Sequence, residues 1–359
     1  MPVRSADRNA HVDGRPMAVL GMGCALPGSA VHTDQLIDIV EANFGLHIRA
    51  RARAAARRLQ VHTRHLCRDL RHRREAPRPA DRNATLAARA VRAALADARL
   101  PLDAVRYLIA HTATPGRALP PGAAEIADNL GYDGPFVELR QACTGFANAL
   151  VFAAGLLQHP GNAAVVIVGS ETGSVYFDPL RISADDGQLI NFLQMGDGAA
   201  AIVLGAGHQA GDHIRLHYFG QLGCHSGAAF ELFAGGSDHA DATQRLEFRH
   251  DFAAVQSGGA RLFAAGLAAA EAGGARARDV DFVIPHQANG RMAALLAPIL
   301  PVPPERVFVN AQRLGNAGSA AIWLALSELR AQLRTGQQVL ALGAEATRFM
   351  YGGFHFVRG

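Results

Sequence analysis

Apolar and polar positions alternate along the chain in blocks whose period switches between strand-like and helix-like. Residues 17–23 (MAVLGMG), 105–112 (VRYLIAHT), 136–139 and 163–169 (AAVVIVG) are short apolar runs bounded by glycine, proline or polar clusters, and each predicts a buried strand. Helical spacing fills the intervals at 34–44 behind a Thr33 cap, at 83–98 behind Asp81 or Asn83, at 121–130, and at 146–158. Residues 171–193 read as a long polar loop, and the glycine turn at 196–198 feeds a strand to 204. From residue 214 the pattern restarts. A strand or two at 214–223 precede a polar, glycine-bearing insertion at 225–242, and a helix follows at 251–272. Next come a strand at 280–284, a helix at 291–300, a strand at 306–309, a loop at 314–318, a helix at 319–333, and strands at 338–342 and 353–357. Each half closes on a pair of strands. The alternation predicts an α/β protein of two βαβ-type halves stacked back to back, with 1–16 a loose tail, 17–205 the first half and 206–359 the second.

Composition narrows the class. With 49% apolar and 18% charged residues in 359, the chain can bury two core-sized halves. Its apolar runs fall well short of the ~20 residues of a membrane span. The polar start has no apolar h-region, so a cytoplasmic protein with no membrane partner is expected. Four scattered cysteines, Cys24, Cys67, Cys143 and Cys224, fit reduced thiols rather than a disulfide framework. The net charge is +4 and every basic side chain is arginine, whose guanidinium fork suits phosphate and carboxylate oxygens. No zinc-finger spacing, RNP motif or helix-turn-helix signature accompanies that charge, so nucleic acid is not an expected partner. The basic stretch 49–82 reads as a solvated face or surface loop, or else as a docking patch for an acidic partner. Within it His62, His65, Cys67 and His72 match no zinc spacing, and no metal is assigned.

Three residues carry candidate chemistry. Cys143, in ELRQACTGFANAL, lies where a buried strand turns into an alanine-rich helix. Unpaired N–H groups and the positive end of the helix dipole favour thiolate there. A buried structural cysteine is the plain alternative. His286, in VIPHQAN, and Asn316, in RLGNAGSA, also stand at strand-to-helix junctions. Singly, such a histidine is a hydrogen-bonded structural residue and such an asparagine a turn former. Together they fall where alternating α/β sheets gather reactive groups.

In order and spacing, ACTGF around Cys143, GDGAAA at 196–201, IPHQANGRM at 284–292, PPERVFVN at 303–310 and RLGNAGSAA at 313–321 resemble the β-ketoacyl-acyl carrier protein synthase III family of thiolase-fold condensing enzymes. The resemblance implies a five-layer αβαβα arrangement and a homodimer. It implies acyl groups carried on coenzyme A or acyl carrier protein, with no resident cofactor. By position it makes Cys143 the acyl-accepting nucleophile and His286 and Asn316 its partners. The backbone N–H groups of Cys143 and Ala344 become oxyanion donors, Leu119, Phe146 and Glu345 pocket residues, and Arg291 a carrier-docking residue. The implied reaction is a Claisen condensation of acyl-Cys143 with a malonyl- or β-ketoacyl-thioester. An acyltransferase to an alcohol or amine, and a silent carrier-docking subunit, are the alternatives.

Two departures stand out. Residues 342–352 (LGAEATRFMYG) replace the family's glycine-rich FGAGLTWG-type loop and carry Glu345 and Arg348, expected either as a surface ion pair or as a carboxylate tuning a second substrate. The tryptophan and arginine that grip coenzyme A near the family's N-terminus have no counterpart, the sole tryptophan being Trp323. A specialised lipid or polyketide role follows from these departures.

Overall fold

In the computed structural model, residues 10–70, 78–159, 161, 164–207, 211–239, 243 and 246–359 are described. Ten strands make one continuous sheet. Its order is Phe282–Pro285, Gln338–Glu345, Met350–Val357, His213–Gln221, Met17–Ala25, Gly198–Ala206, Ala164–Glu171, Val105–His111 and Phe136–Leu139, with Ala10–Asp13 beside His213–Gln221. Counted from Met17–Ala25, the five sheet strands of the first half lie in the spatial order 3-2-4-5-1. The second half repeats 2-4-5-1, its missing third strand reduced to a parallel bridge between Val283 and Val307. Residues 306–309 were expected as a full strand; the 3₁₀ turn Pro304–Arg306 takes up its start, and a single bridge remains at Val307.

Side-chain alternation divides the layers. In the strand Ala164–Glu171, Val165 and Ile167 face one cluster while Val166 and Val168 face another. In Gln338–Glu345, Val339 and Ala341 share the first of these clusters, whereas Leu340 and Leu342 face a third. The shared cluster holds helices Gly145–Leu156 and Ala321–Arg330, so these two lie between the half-sheets. A helix enclosed on both sides needs no polar stripe, which explains the apolar FANALVFAAGL run. Asn83–Ala98 and Gly122–Leu130 cover the outer face of the first half, and Phe252–Ala272 covers that of the second. The result is the expected αβαβα layering. Asn83–Ala98 sits directly on the strand backbone at Gly21, where a Cβ would come within 2.4 Å of Ala98 N.

Several segments differ from expectation. Part of the anticipated tail, Ala10–Asp13, is a strand, because His213–Gln221 offers it an unpaired edge. The stretch expected as a polar loop folds as helices Pro179–Ala184 and Asp186–Gln194, capped by Asp178 and by Asp185. The basic stretch is only partly a solvated face. Arg49–Leu59 is a helix whose Ala52 and Ala55 are buried, and Arg64 and Arg68 are buried as well. His72 lies outside the described residues, while His65 and Cys67 bond separately, to Pro27 O and to the Asp197 carboxylate. No helix among the described residues is long and apolar enough to cross a membrane.

Candidate active site

Cys143 occupies the tight turn between Phe136–Leu139 and the central helix, with Thr144 at the helix N-cap position. Glu345, 2% exposed at the end of its strand, fixes that turn. Its Oε1 accepts from the Ala142 N–H at 3.3 Å, and its Oε2 accepts from the Thr144 N–H at 2.8 Å and the Thr144 hydroxyl at 2.7 Å. The Thr347 hydroxyl donates to Oε1 as well. One carboxylate thus claims the amides on both sides of Cys143. The Cys143 N–H between them bonds to no other residue among those described and lies within reach of its own sulfur. Gly145 allows the buried His111 ring to pack beneath the helix start, since a Cβ there would lie 2.6 Å from Nδ1.

Asn316 reaches the same place from the second half. Its backbone is stitched to the 194–196 segment, N–H to Gln194 O at 2.7 Å and O from Gly196 N–H at 3.0 Å. Its side-chain oxygen accepts from the Gly318 N–H at 3.0 Å, which leaves the NH₂ group as a donor. Ser319 ties this loop to the Cys143 turn, its Oγ lying 3.1 Å from Gln141 O, 3.3 Å from Ala142 O and 2.6 Å from Glu171 Oε1. Cys143, Asn316 and Glu171 line one cavity of about 50 Å³. Phe230 and Phe248 form part of its wall, their rings stacked at 5.2 Å.

His286 follows the strand Phe282–Pro285, and its N–H donates to Leu342 O at 2.7 Å on the neighbouring strand. It does not line the cavity as formed around Cys143 and Asn316. The link runs through the neighbouring strand: Gly343 packs on the Phe146 ring in the first turn after Cys143, and Glu345 clamps the turn itself. Burial pushes the imidazole down to about 4, so it is neutral at physiological pH. Its Nδ1 is sealed from solvent without a partner, and its Nε2 is not so sealed. Gln287 orients this corner, since its NH₂ group donates to Pro285 O at 2.7 Å and its carbonyl accepts from the Asn310 and Ala311 N–H groups at 2.8 and 3.3 Å.

Electrostatics run against the expectation of a resting thiolate. Burial, then the carboxylates of Glu345 and Glu171, raise the Cys143 thiol well above its ordinary value. The helix begins only at Gly145, and two buried acids act on the sulfur, so its N-terminus does not dominate. Glu171 is itself pushed up by burial, against hydrogen bonds from Ser319, Thr114 and Ala113.

The other sequence-nominated residues are placed as follows. Phe146, expected at the pocket, is 1% exposed and packs edge-on to Trp323 and Phe354 in the core between the sheets. Glu345 lies behind the nucleophile turn rather than on the cavity wall, and it does not pair with Arg348, whose guanidinium donates to Ser226 O. Leu119 is 82% exposed and away from its own chain's cavity. Ala344 is buried in register with Tyr351, and Arg291 is exposed at the start of Met292–Leu296. Sequence reading missed Glu171, Gln287 and the Phe230–Phe248 pair. Gln287 was in view within IPHQAN, but nothing local marks it as a brace, and the two phenylalanines sit in what read as a polar insertion and the segment after it.

A duplicated half-sheet topology, with Cys143 just ahead of one central helix and Asn316 brought from the second half into the same cavity, is that of a thiolase-type condensing enzyme. Residues 137–220 match the family model 3-oxoacyl-[acyl-carrier-protein (ACP)] synthase III, and residues 270–352 match its C-terminal counterpart. The β-ketoacyl-[acyl-carrier-protein] synthase III of Cereibacter sphaeroides is 35% identical over 265 residues, covering 70% of this chain and 76% of that protein. The solved 3-oxoacyl-(acyl carrier protein) synthase III of Pseudomonas aeruginosa superposes with a TM-score of 0.76 at 27% identity, over 96% of this chain and 98% of the other. AbyA1, a tetronic acid condensing enzyme, superposes with a TM-score of 0.82 at 25% identity, over 95% and 99%. The chain belongs to the β-ketoacyl-acyl carrier protein synthase III family and is an acyl-thioester condensing enzyme of the Claisen type. These likenesses favour neither acyl transfer to an alcohol or amine nor a silent subunit.

Proposed function

We propose that Cys143 carries the acyl group, and that His286 and Asn316 activate the second thioester. The observation that carries this reading is the shared cavity, which Cys143 and Asn316 both line, with the Asn316 NH₂ group left as a donor and the Cys143 N–H claimed by no other described residue. In the first half-reaction the sulfur bonds to the thioester carbonyl carbon. The carrier's carbon–sulfur bond breaks, and the thiol proton leaves with the carrier thiol. Because the thiol is held high, deprotonation accompanies attack rather than preceding it. The tetrahedral oxygen takes the Cys143 N–H, with the Ala344 N–H as the second donor.

In the second half-reaction a malonyl-type thioester loses CO₂, and the electron pair of the broken bond becomes an enolate. A neutral imidazole and a carboxamide both donate hydrogen bonds without bearing charge. The pair therefore stabilises the developing enolate oxygen and tolerates the substrate carboxylate. The enolate carbon then attacks acyl-Cys143, the carbon–sulfur bond breaks, and the sulfur recovers a proton. Residues 17–205 and 206–359 act as the two halves that meet at this site. The acyl donors are coenzyme A or carrier-protein thioesters, with no resident cofactor, Arg291 contributes to carrier docking, and the working form is a homodimer with Leu119 facing the partner. The hairpin strands Phe230–Phe233 and Glu247–His250, antiparallel and presenting Phe230 and Phe248 to the cavity wall, set acyl length in a specialised pathway.

Intact-mass measurement after incubation with acyl-CoA and acyl-carrier thioesters tests the first half. The wild-type chain should gain one acyl mass and Cys143→Ala none; an adduct that survives in Cys143→Ala would overturn the assignment.

A further inference from the structure

Outside the active site, among the described residues, one cluster of metal-ligating side chains is made by strand register alone. Ala10–Asp13 runs antiparallel to His213–Gln221, with Asp13 opposite His217 and His11 opposite Phe219. Directly opposed residues, and residues two apart on one strand, share a face of the sheet, so His11, Asp13 and His217 point the same way. One potential ligand atom from each lies within 4.8 Å of the other two. His11 Nε2 is 3.9 Å from Asp13 Oδ2, and the two imidazole centroids are 6.0 Å apart.

His217 points to a ligand independently. It is 0% exposed, and neither ring nitrogen has a hydrogen-bond partner among the described residues. An imidazole buried with both nitrogens unsatisfied is costly, and the cost is relieved if a cation takes one lone pair. Burial holds this ring down to about 4, hence neutral, and Arg15 holds the Asp13 carboxyl at about 2, hence ionised. Both groups are in the protonation state that ligation requires. The Arg15 backbone N–H and guanidinium bond to the Asp13 carboxylate, the outer support that ligating carboxylates commonly have. The guanidinium charge also opposes a cation, which gives a diagnostic variant.

We propose that His11, Asp13 and His217 form a binding site for one zinc-type divalent cation, which fastens the N-terminal strand to the sheet. Two imidazoles and one carboxylate suit zinc better than magnesium or calcium, which favour all-oxygen shells, and a fourth position stays open to water. Tetrahedral zinc with ~2.0–2.1 Å bonds needs ligand atoms about 3.4 Å apart. The half-exposed His11 side chain can close the remaining gap by rotation. None of the three lines the cavity at Cys143, so the site is structural and separate from the condensation.

The test uses the full chain, stripped with chelator and desalted, titrated with Zn(II) by calorimetry and with Co(II) by visible absorption. One equivalent should bind and raise the melting temperature, and the cobalt spectrum should be tetrahedral without a thiolate charge-transfer band. His11→Ala and Asp13→Asn should each weaken binding by at least about tenfold, Arg15→Ala should tighten it, and Cys143→Ser should leave it unchanged. His217→Ala can fail to fold because that side chain is buried; His11 is exposed, so His11→Ala keeps the test decisive. No saturable binding overturns the proposal, and so does binding retained by His11→Ala and Asp13→Asn or carried by cysteine thiolate.

Discussion

Glu345→Gln separates the two jobs that one buried carboxylate does at the nucleophile. As glutamate it accepts four hydrogen bonds, from the Ala142 N–H, the Thr144 N–H, the Thr144 hydroxyl and the Thr347 hydroxyl. A carboxamide keeps one acceptor oxygen and turns an NH₂ group toward donors at the other end, so about half of that set is lost. Hydrogen bonds to a charged acceptor contribute ~1.5–3 kcal/mol each, and a buried N–H left unpaired costs ~1–3 kcal/mol. With partial relaxation the variant should lose about 2–4 kcal/mol of stability, read as a lower urea midpoint at unchanged slope. Its second effect has the opposite sense. Glu345 is the larger of the two carboxylate influences that raise the Cys143 thiol, so removing its charge should move the thiol back toward its ordinary value. Iodoacetamide alkylation of Cys143, followed by intact mass against pH, should then reach its midpoint at lower pH in the variant. A merely loosened turn would speed alkylation at every pH without moving the midpoint. An unmoved or higher midpoint refutes the electrostatic part of the reasoning.

Other perturbations follow from the same geometry. Asn316→Asp puts a carboxylate where the substrate's own carboxylate must sit, so decarboxylation should fall by at least about a hundredfold while acyl loading of Cys143 persists; equal loss of both steps contradicts the division of labour. Phe230→Ala opens one side of the cavity wall, and the ratio of long-chain to acetyl loading rates should rise by roughly tenfold or more; an unchanged ratio removes the hairpin from chain-length control. His111 and His286, held to about 3 and about 4 by burial, should make the fold acid-sensitive. Their folded values lie below the unfolded one near 6.5, so the unfolded chain binds more protons as pH drops. Stability is complete above about 6.5 and declines toward pH 4, and urea midpoints flat between pH 7 and 4.5 would contradict this.

Much of the architecture was legible because it rests on local periodicity. The continuous apolar run at 164–169 and the helix at 145–156, whose one polar side chain is Asn148, declare double burial in their composition. Cys143, His286 and Asn316 were visible because strand-to-helix junctions have signatures within a few residues. What stayed hidden depends on contacts far apart in the chain. Glu345 grips Thr144 across 201 positions, and Glu171 meets Ser319 across 148. Neither carboxylate announces its burial in its own neighbourhood, and both add to the burial that holds the Cys143 thiol above its ordinary value. The helices at 179–194 were missed for a different reason: Asp178 before Pro179 and Asp185 before Asp186 are caps, but the same residues also spell turns.

The most direct measurement is a single turnover of acyl-loaded protein, freed of excess donor and mixed with a malonyl-thioester on carrier protein. The account predicts one CO₂ and one β-ketoacyl-thioester per acyl-Cys143 consumed, with the free thiol regenerated. Loss of the acyl group to water or to an added alcohol or amine, without CO₂, would contradict it.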